Sequence, residues 1–356
     1  MEVAGQSLRF RRAMIATGGR AAVPDIPGLA DAGYLTNETV FSLTSLPRRL
    51  VVLGAGPIGC ELAQAFARFG SQVTLIASHS NILAKEDADA AAVIETALRQ
   101  DGVELLTNAR ATQVMREESQ KQVWIERGER STGTARVPAD EILVAVGRVP
   151  NVDDLGLASA GIAFDSDVGV RVDDHFRTTN RTVFGAGDVC SRFQFTHAAD
   201  AMARIVLQNA LFPGRGRGSS LVIPRCTYTD PEIATVGLTE TEARERGVAV
   251  DVLFEEMTHN DRAVVDGETT GFAKLLLARG TDQIVGATIV ATQAGDMLNE
   301  ITLAMTRKLG MSALAGTIHS YPTQGEVIKR LGDQFSRRRL TPFVKRLFAR
   351  WFAWTR

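Results

Sequence analysis

Between Leu50 and Ala63 an apolar, β-branched run, Leu50-Val51-Val52-Leu53, enters Gly54-Ala55-Gly56-Pro57-Ile58-Gly59, and helix-forming residues follow. No other stretch of the 356 residues limits the possible folds as sharply. The run reads as a strand, a tight turn and a helix, the unit that cradles a dinucleotide pyrophosphate. Gly54 permits the turn, Gly56 lets the backbone approach the phosphates, and Gly59 lets the helix lie close to the strand. Pro57 falls in the first helical turn, where a missing N–H costs nothing. The remaining free amides and the helix dipole then face an anion. Gly54, Ala55, Gly56, Pro57, Ile58, Gly59, Cys60 and Glu61 together form the candidate binding turn.

Composition narrows the class. A chain of this length forms two or three domains. Its 45% hydrophobic and 23% charged residues are those of a globular protein, and a net charge of −1 argues against a chain built to bind nucleic acid. No apolar run spans a bilayer and the start lacks a secretory h-region, so a cytoplasmic protein is expected. Cys60, Cys190 and Cys226 are far apart in sequence and form no ligand cluster. A reducing compartment is expected, and neither a disulfide framework nor a metal site.

From Arg48 the pattern alternates strand and helix. Leu50–Leu53, Val73–Ile76, Val103–Leu106 and Glu141–Val146 read as strands. Helices are predicted from Pro57 to Phe69, capped by Gly70, and from Ala90 to Arg99. Two alternating runs, near 112–115 and 123–126, predict a small antiparallel meander. Val168, Val170 and Val172 alternate with polar or small residues and predict another strand, and a helix is expected over 198–211. After a Gly/Arg/Ser linker at 214–220 the texture becomes α+β. Thr239 and Glu242 have capping-box spacing, and 272–277 pairs with 283–290. Met297, Ile301, Ala304 and Met305 line one face of a helix that Gly310 is expected to close. A loop through His319 and Tyr321-Pro322-Thr323 leads to a last core helix from Glu326.

Four motifs stand in order: Ala16-Thr17-Gly18, the glycine fingerprint at 54–59, Ala145-Val146-Gly147-Arg148-Val149-Pro150-Asn151, and Gly185-Ala186-Gly187-Asp188. The Tyr321-Pro322-Thr323 loop with Glu326 completes the series. Together they resemble the pyridine nucleotide–disulfide oxidoreductases, most closely the mercuric-reductase-like branch, over residues 3–335. The resemblance implies an α/β fold of two Rossmann-like dinucleotide-binding domains plus a C-terminal α+β dimerisation domain. It divides the chain into an incomplete FAD-binding domain at 1–45 and 151–215, an NAD(P)-binding domain at 46–150, an interface domain at 220–335 and a basic tail at 336–356.

The same resemblance implies residue roles. Thr17, Gly18 and Gly19 would line FAD, and Asp188 would hydrogen-bond its ribityl chain. Residues Gly54 to Glu61 would hold the nicotinamide dinucleotide and Gly147 would touch it again. His197 either adds a hydrogen bond to the flavin or is structural. Tyr321 and Glu326 occupy the slots of the family's dimer-crossing base and its orienting glutamate. A phenol with a pKa near 10 is a poor base at neutral pH. Glu61 resembles a glutamate that pairs with a lysine beside the flavin; without that lysine it reads equally as a solvated helix residue. His319 is read as a packed loop residue in preference to a proton carrier.

The family's own FAD fingerprint and its C-x-x-x-x-C redox pair do not occur in these residues, nor does a terminal cysteine pair. An N-terminally truncated chain is therefore expected. The implied function is a FAD-dependent NAD(P)H oxidoreductase, passing a hydride to FAD and electrons to a disulfide or another small acceptor. The alternative is a catalytically inactive nicotinamide-binding and dimerisation module. NADPH is expected over NADH, because Ala77 stands where an acid would grip a ribose 2′-OH, with Ser78 and His79 as donors beside it. A homodimer is expected. Residues 337–356 carry seven basic residues, no acid and recurring aromatics, so this tail either contacts an anionic membrane surface or docks on protein.

Overall fold

A computed structural model describes residues 2–118, 120–128 and 134–355. The chain folds into two compact units. The first collects three separated stretches, Met1–Asp25, Leu35–Leu43 and Val144–Ile223. Strand Ala13–Ile15 pairs in parallel with Val183–Gly185, and Gly19–Ala21 pairs antiparallel with Arg148–Pro150. One apolar cluster gathers Val152, Leu157, Ile162, Val170, Val183 and Val189. Another packs Phe176, Phe184 and Ala186 on Ala198, Met202 and Val206. The last three recur every fourth residue and so share one face of the helix Thr196–Leu211.

The strand expected through Val168, Val170 and Val172 shrinks to Gly169–Val170, paired with Phe164–Asp165. The reason is local. The Asp165 carboxylate accepts the amides of Asp167 and Val168, which bends the chain into a turn and leaves Val168 exposed.

The second unit comprises Ile26–Tyr34, Thr44–Leu143 and Pro224–Arg356. Its four-stranded sheet runs Glu141–Val144, Arg49–Leu53, Gln72–Ile76, Glu104–Leu106. The pairs among the last three are parallel, with Leu50 opposite Val73 and Leu75 opposite Leu105. Leu50, Val52 and Leu75 are fully buried, as strands covered on both faces require. Helix Pro57–Phe69 packs on this sheet through Gly59, Cys60 and Ala63, and Gly70, at φ 107°, closes it as expected. Helix Ala88–Gln100 buries Ala90, Ala91, Ile94, Ala97 and Leu98. The meander has three strands, Ala109–Glu117, Gln120–Arg127 and Thr134–Ala139.

A five-stranded antiparallel sheet follows, in the order Pro224–Thr227, Glu232–Gly237, Ile284–Ala291, Phe272–Ala278, Val250–Glu256. The two runs read as paired strands from sequence are central here and almost wholly buried. Helix Ala294–Thr306 packs on one part of the sheet and Glu326–Arg338 on another. Thr239 and Glu242 form the capping box in both directions. Gly310 does not close helix Ala294–Thr306. Lys308 takes the left-handed position, at φ 55°, and Gly310 instead starts the helix Met311–Gly316.

Ionic contacts run within this unit between the segment that follows the glycine turn and the five-stranded sheet. Lys274, 3% exposed at its side chain, lies 2.9, 2.8 and 2.9 Å from Asp87, Asp89 and Glu240. Arg225 makes two bonds to Glu86, which also accepts the Thr235 hydroxyl. Gln64 and Arg68 hold Asp230. The chain ends in helix Pro342–Thr355, in which no residue is fully buried and Val344 alone is half-buried; Arg356 lies outside the described residues. Among the described residues no helix is long and apolar enough to cross a membrane.

Candidate functional site

In the second unit the glycine turn has the form its sequence demands. The Gly54 amide, at φ 105°, donates to Ile76 O at 2.9 Å, so the turn is tied to the neighbouring strand. Ala55 O accepts from Leu83 N. Gly56 is the N-cap of helix Pro57–Phe69 and supplies no side-chain cap. A Cβ built on Gly56 meets nothing within 4 Å. The surroundings of this N-cap are thus open on the protein side, and no side chain caps the helix amides. Such a cradle fits a phosphate. The Cys60 amide is already used by Gly56 O, and its thiol is buried, which pushes its pKa up to about 12. At the end of strand Gln72–Ile76, Ser78 and His79 are exposed, and His79 O accepts from Asn108 N.

Glu61 is half-buried and accepts the Tyr228 amide at 2.8 Å. It is therefore not the freely solvated helix residue of the alternative reading. Burial raises its pKa, and the Tyr228 amide opposes part of that rise.

In the first unit three motifs far apart in sequence meet. The Thr17 hydroxyl donates to Asn151 O at 2.7 Å, and Asn151 Nδ2 donates to Thr17 O at 2.9 Å. Gly18, at φ 69°, accepts from the Asn151 amide. Gly19 lies so close to Val149 O that a Cβ would approach it to 2.9 Å, and Asp188 Cβ would be 3.4 Å away. Gly147 O accepts the Ala22 amide. Arg148 Nη2 donates to Gly19 O at 2.7 Å and lies 3.2 Å from Asp188 Oδ2, while its Nε is buried without a partner. Asp188, next to Gly187 at φ 79°, is thereby fixed by a cation. A pinned carboxylate beside a partnerless buried N–H suits a polyol hydroxyl or a phosphate, as a flavin dinucleotide offers. Helix Thr196–Leu211 begins nearby in sequence with no side-chain cap on its N-terminus. His197 is exposed and stacks on Phe195, with ring centroids 5.4 Å apart and planes at 9°.

Tyr321 and Glu326 lie in the second unit, in one polar cluster, but are not bonded to each other. The Tyr321 hydroxyl donates to Asp261 Oδ2 at 2.8 Å. Arg330 lies 3.9 Å from Asp261 and 3.6 Å from Glu326, whose Oε2 is buried without a partner. The bond to Asp261 favours the protonated phenol and raises its pKa. Asn260 clamps the loop from behind by donating to Thr323 O and Gln324 O. His319 is half-buried, its side chain packed against Glu300 with both carboxylate oxygens 3.1 Å from Nε2. This is the packed position expected of it. Sequence reasoning missed Asp261 and the role of Arg148. Asn260 ahead of a short helix was a readable capping signal for the first, and Arg148 stood inside a quoted motif.

The family model for pyridine nucleotide-disulphide oxidoreductases matches residues 1–203, and the model for their dimerisation domain matches residues 223–331. The chain belongs to this family. Among curated oxidoreductases of this kind, a mercuric reductase of Bacillus cereus is 36% identical over 330 residues, covering 92% of this chain and 52% of that protein. A dihydrolipoyl dehydrogenase of Staphylococcus aureus is 33% identical, covering 94% of this chain and 70% of that one. The chain spans about half to three-fifths of the length of the curated mercuric reductases it matches. The HOCl-induced flavoprotein disulfide reductase RclA of Escherichia coli superposes with a TM-score of 0.82 at 32% identity, covering 90% of this chain and 73% of that one. The mixed α/β architecture is thus that of the flavoprotein disulfide reductases. None of the three cysteines forms a redox pair in sequence. All three are pushed up to about 12, first by burial, with the nearby carboxylates Glu61, Asp188 and Glu232 adding to it.

Proposed function

We propose that this chain is the nicotinamide-binding, flavin-contacting and dimer-forming part of a FAD-dependent NAD(P)H oxidoreductase that delivers electrons to a disulfide or another small acceptor. The observation that carries the reading is the meeting of Thr17–Gly19, Arg148–Asn151 and Asp188 in one unit, together with the open Gly56 cradle in the other. FAD, when bound, supplies the hydride acceptor and the onward electron transfer. The chain's own residues bind and orient. Amides at the start of helix Pro57–Phe69 hold the nicotinamide pyrophosphate. Asp188, fixed by Arg148, accepts from a ribityl hydroxyl, and Thr17, Gly18 and Gly19 present backbone to the flavin. Ser78 and His79, with Ala77 in place of an acid, favour NADPH. Gly147 contributes to the nicotinamide side. Tyr321 holds a proton for the acceptor, with Glu326 as the charge behind it. Residues 223–331 assemble the homodimer.

The test is a calorimetric titration of the purified 356-residue chain with NADPH, NADH and FAD. Tighter binding of NADPH than NADH, and FAD binding that Asp188→Ala abolishes, are the expected results. Clearly tighter NADH binding overturns the cofactor choice. NADPH binding with no affinity for FAD replaces the enzymatic reading by that of a nicotinamide-binding and dimerisation module.

A further inference from the structure

Every other helix of eight or more residues among the described ones has fully buried residues; Pro342–Thr355 has none, and in it Val344 alone is half-buried. Its side chains nonetheless sort cleanly. At about 100° per residue, Phe343, Leu347, Phe348, Trp351, Phe352 and Trp354 fall within one half of the circumference. Lys345, Arg346 and Arg350 fall in the other half, with two alanines. The six large apolar side chains are 45% to 78% exposed, and the ring contacts they make are with one another, Phe348 with Phe352 and Trp351 with Trp354. Arg337, Arg338 and Arg339 precede the helix, and no acid occurs from 337 onward. The whole chain carries −1, so this cationic helix is attached to a net acidic body.

We propose that Pro342–Thr355 lies in the plane of an anionic phospholipid surface. Charge complementarity selects this occupant. A bilayer of that kind meets both halves at once, with phosphates against the cations and the acyl boundary beneath the aromatic face. Tryptophan is suited to that boundary because its ring is apolar and its N–H is a donor. A protein groove would cover the aromatic half and leave the cations to find acids of their own. At about 1.5 Å per residue the helix is about 21 Å long, which suits lying in the surface and falls short of spanning it. The inference does not depend on the redox chemistry.

Flotation of the full chain with vesicles tests it, using phosphatidylcholine alone and phosphatidylcholine with about one-third phosphatidylglycerol. Tryptophan emission is read in parallel, since Trp351 and Trp354 are two of the three tryptophans. The expected result is flotation with the anionic vesicles only, a blue-shifted emission there, and loss of both in a chain ending at residue 336. Replacing Lys345, Arg346 and Arg350 by Gln keeps the aromatic face and is expected to weaken partitioning about fivefold per charge, roughly a hundredfold in all. Equal flotation with and without residues 337–356, or equal binding to neutral vesicles, overturns the proposal. A concentration-dependent blue shift without vesicles, tracking self-association, overturns it in favour of a second copy of the chain.

Discussion

Gly56 is a position in the glycine turn where binding can be separated from folding. A Cβ at this residue meets no protein atom within 4 Å, and its backbone, at φ −79° and ψ −176°, is open to any L-residue. Gly56→Ala therefore costs the fold only the N-cap preference of glycine over alanine, about 1 kcal/mol or less. On the function proposed above, the methyl group stands where the pyrophosphate approaches. If it displaces two charge-assisted amide bonds, each worth about 1.5–3 kcal/mol, affinity for the dinucleotide falls by roughly a hundredfold or more. Gly28→Ala is the contrasting control. Its Cβ would come within 2.0 Å of Val114 O at φ 79°, so the fold loses at least about 1–3 kcal/mol from the backbone alone. Calorimetric titration with NADPH and urea unfolding, run on both variants, read the two quantities separately. A Gly56→Ala dissociation constant within threefold of the wild type would refute the assignment of this turn to the pyrophosphate. A large loss of stability in the same variant would refute the claim that the space is empty of protein.

Three further outcomes are expected. Lys274→Met leaves Asp87 buried beside Asp89 and Glu240 with no cation, and should cost about 3–5 kcal/mol in urea unfolding. Burial pulls the Lys274 pKa down, but the three carboxylates outweigh it and the net shift is upward. The contribution is therefore complete below the unfolded lysine value near 10.4 and is lost as pH rises through the folded one, so the wild type should weaken in that alkaline window and the variant should not. Cys60, Cys190 and Cys226, each at about 12, should react with iodoacetamide at pH 8 on the order of a hundredfold or more slower than in urea, measured by mass spectrometry; fast labelling of any one in the folded chain contradicts its burial. Asp261→Asn removes the largest cause of the raised Tyr321 pKa, so a phenolate absorbance titration should move to lower pH, with Tyr321→Phe identifying the signal; no movement shows that the bond does not form in solution.

Periodicity made the parallel sheet and its first helix legible, because Leu50–Leu53 is buried throughout and reads as an unbroken apolar run, and Val73–Ile76 is interrupted only by the half-buried Thr74. The same held for 272–277 and 283–290, at the centre of the interface sheet. Its edge strands, Pro224–Thr227 and Val250–Glu256, escaped notice because their residues are mostly only partly buried, which blurs alternation. Motif order conveyed the family and brought Thr17, Gly147 and Asp188 onto one short roster. It did not convey Arg148 against Asp188, or Asp261 against Tyr321. Those contacts join residues 40 and 60 apart, and nothing in local sequence encodes which partner a side chain will reach. Gly310 misled for a related reason. A glycine near a helix end signals a left-handed cap, yet here Lys308 tolerates that conformation two residues earlier.

The pairing of Ala13–Ile15 with Val183–Gly185 also sets an order of events at the ribosome. The strand made first must wait for some 170 further residues before its partner exists. In the interval the segment 44–143 emerges with all the strands of its parallel sheet but the last residue of one, and its closures are shorter. The nascent chain should therefore acquire protease resistance in segment 44–143 first, while residues 1–25 stay cleavable until synthesis passes residue 185.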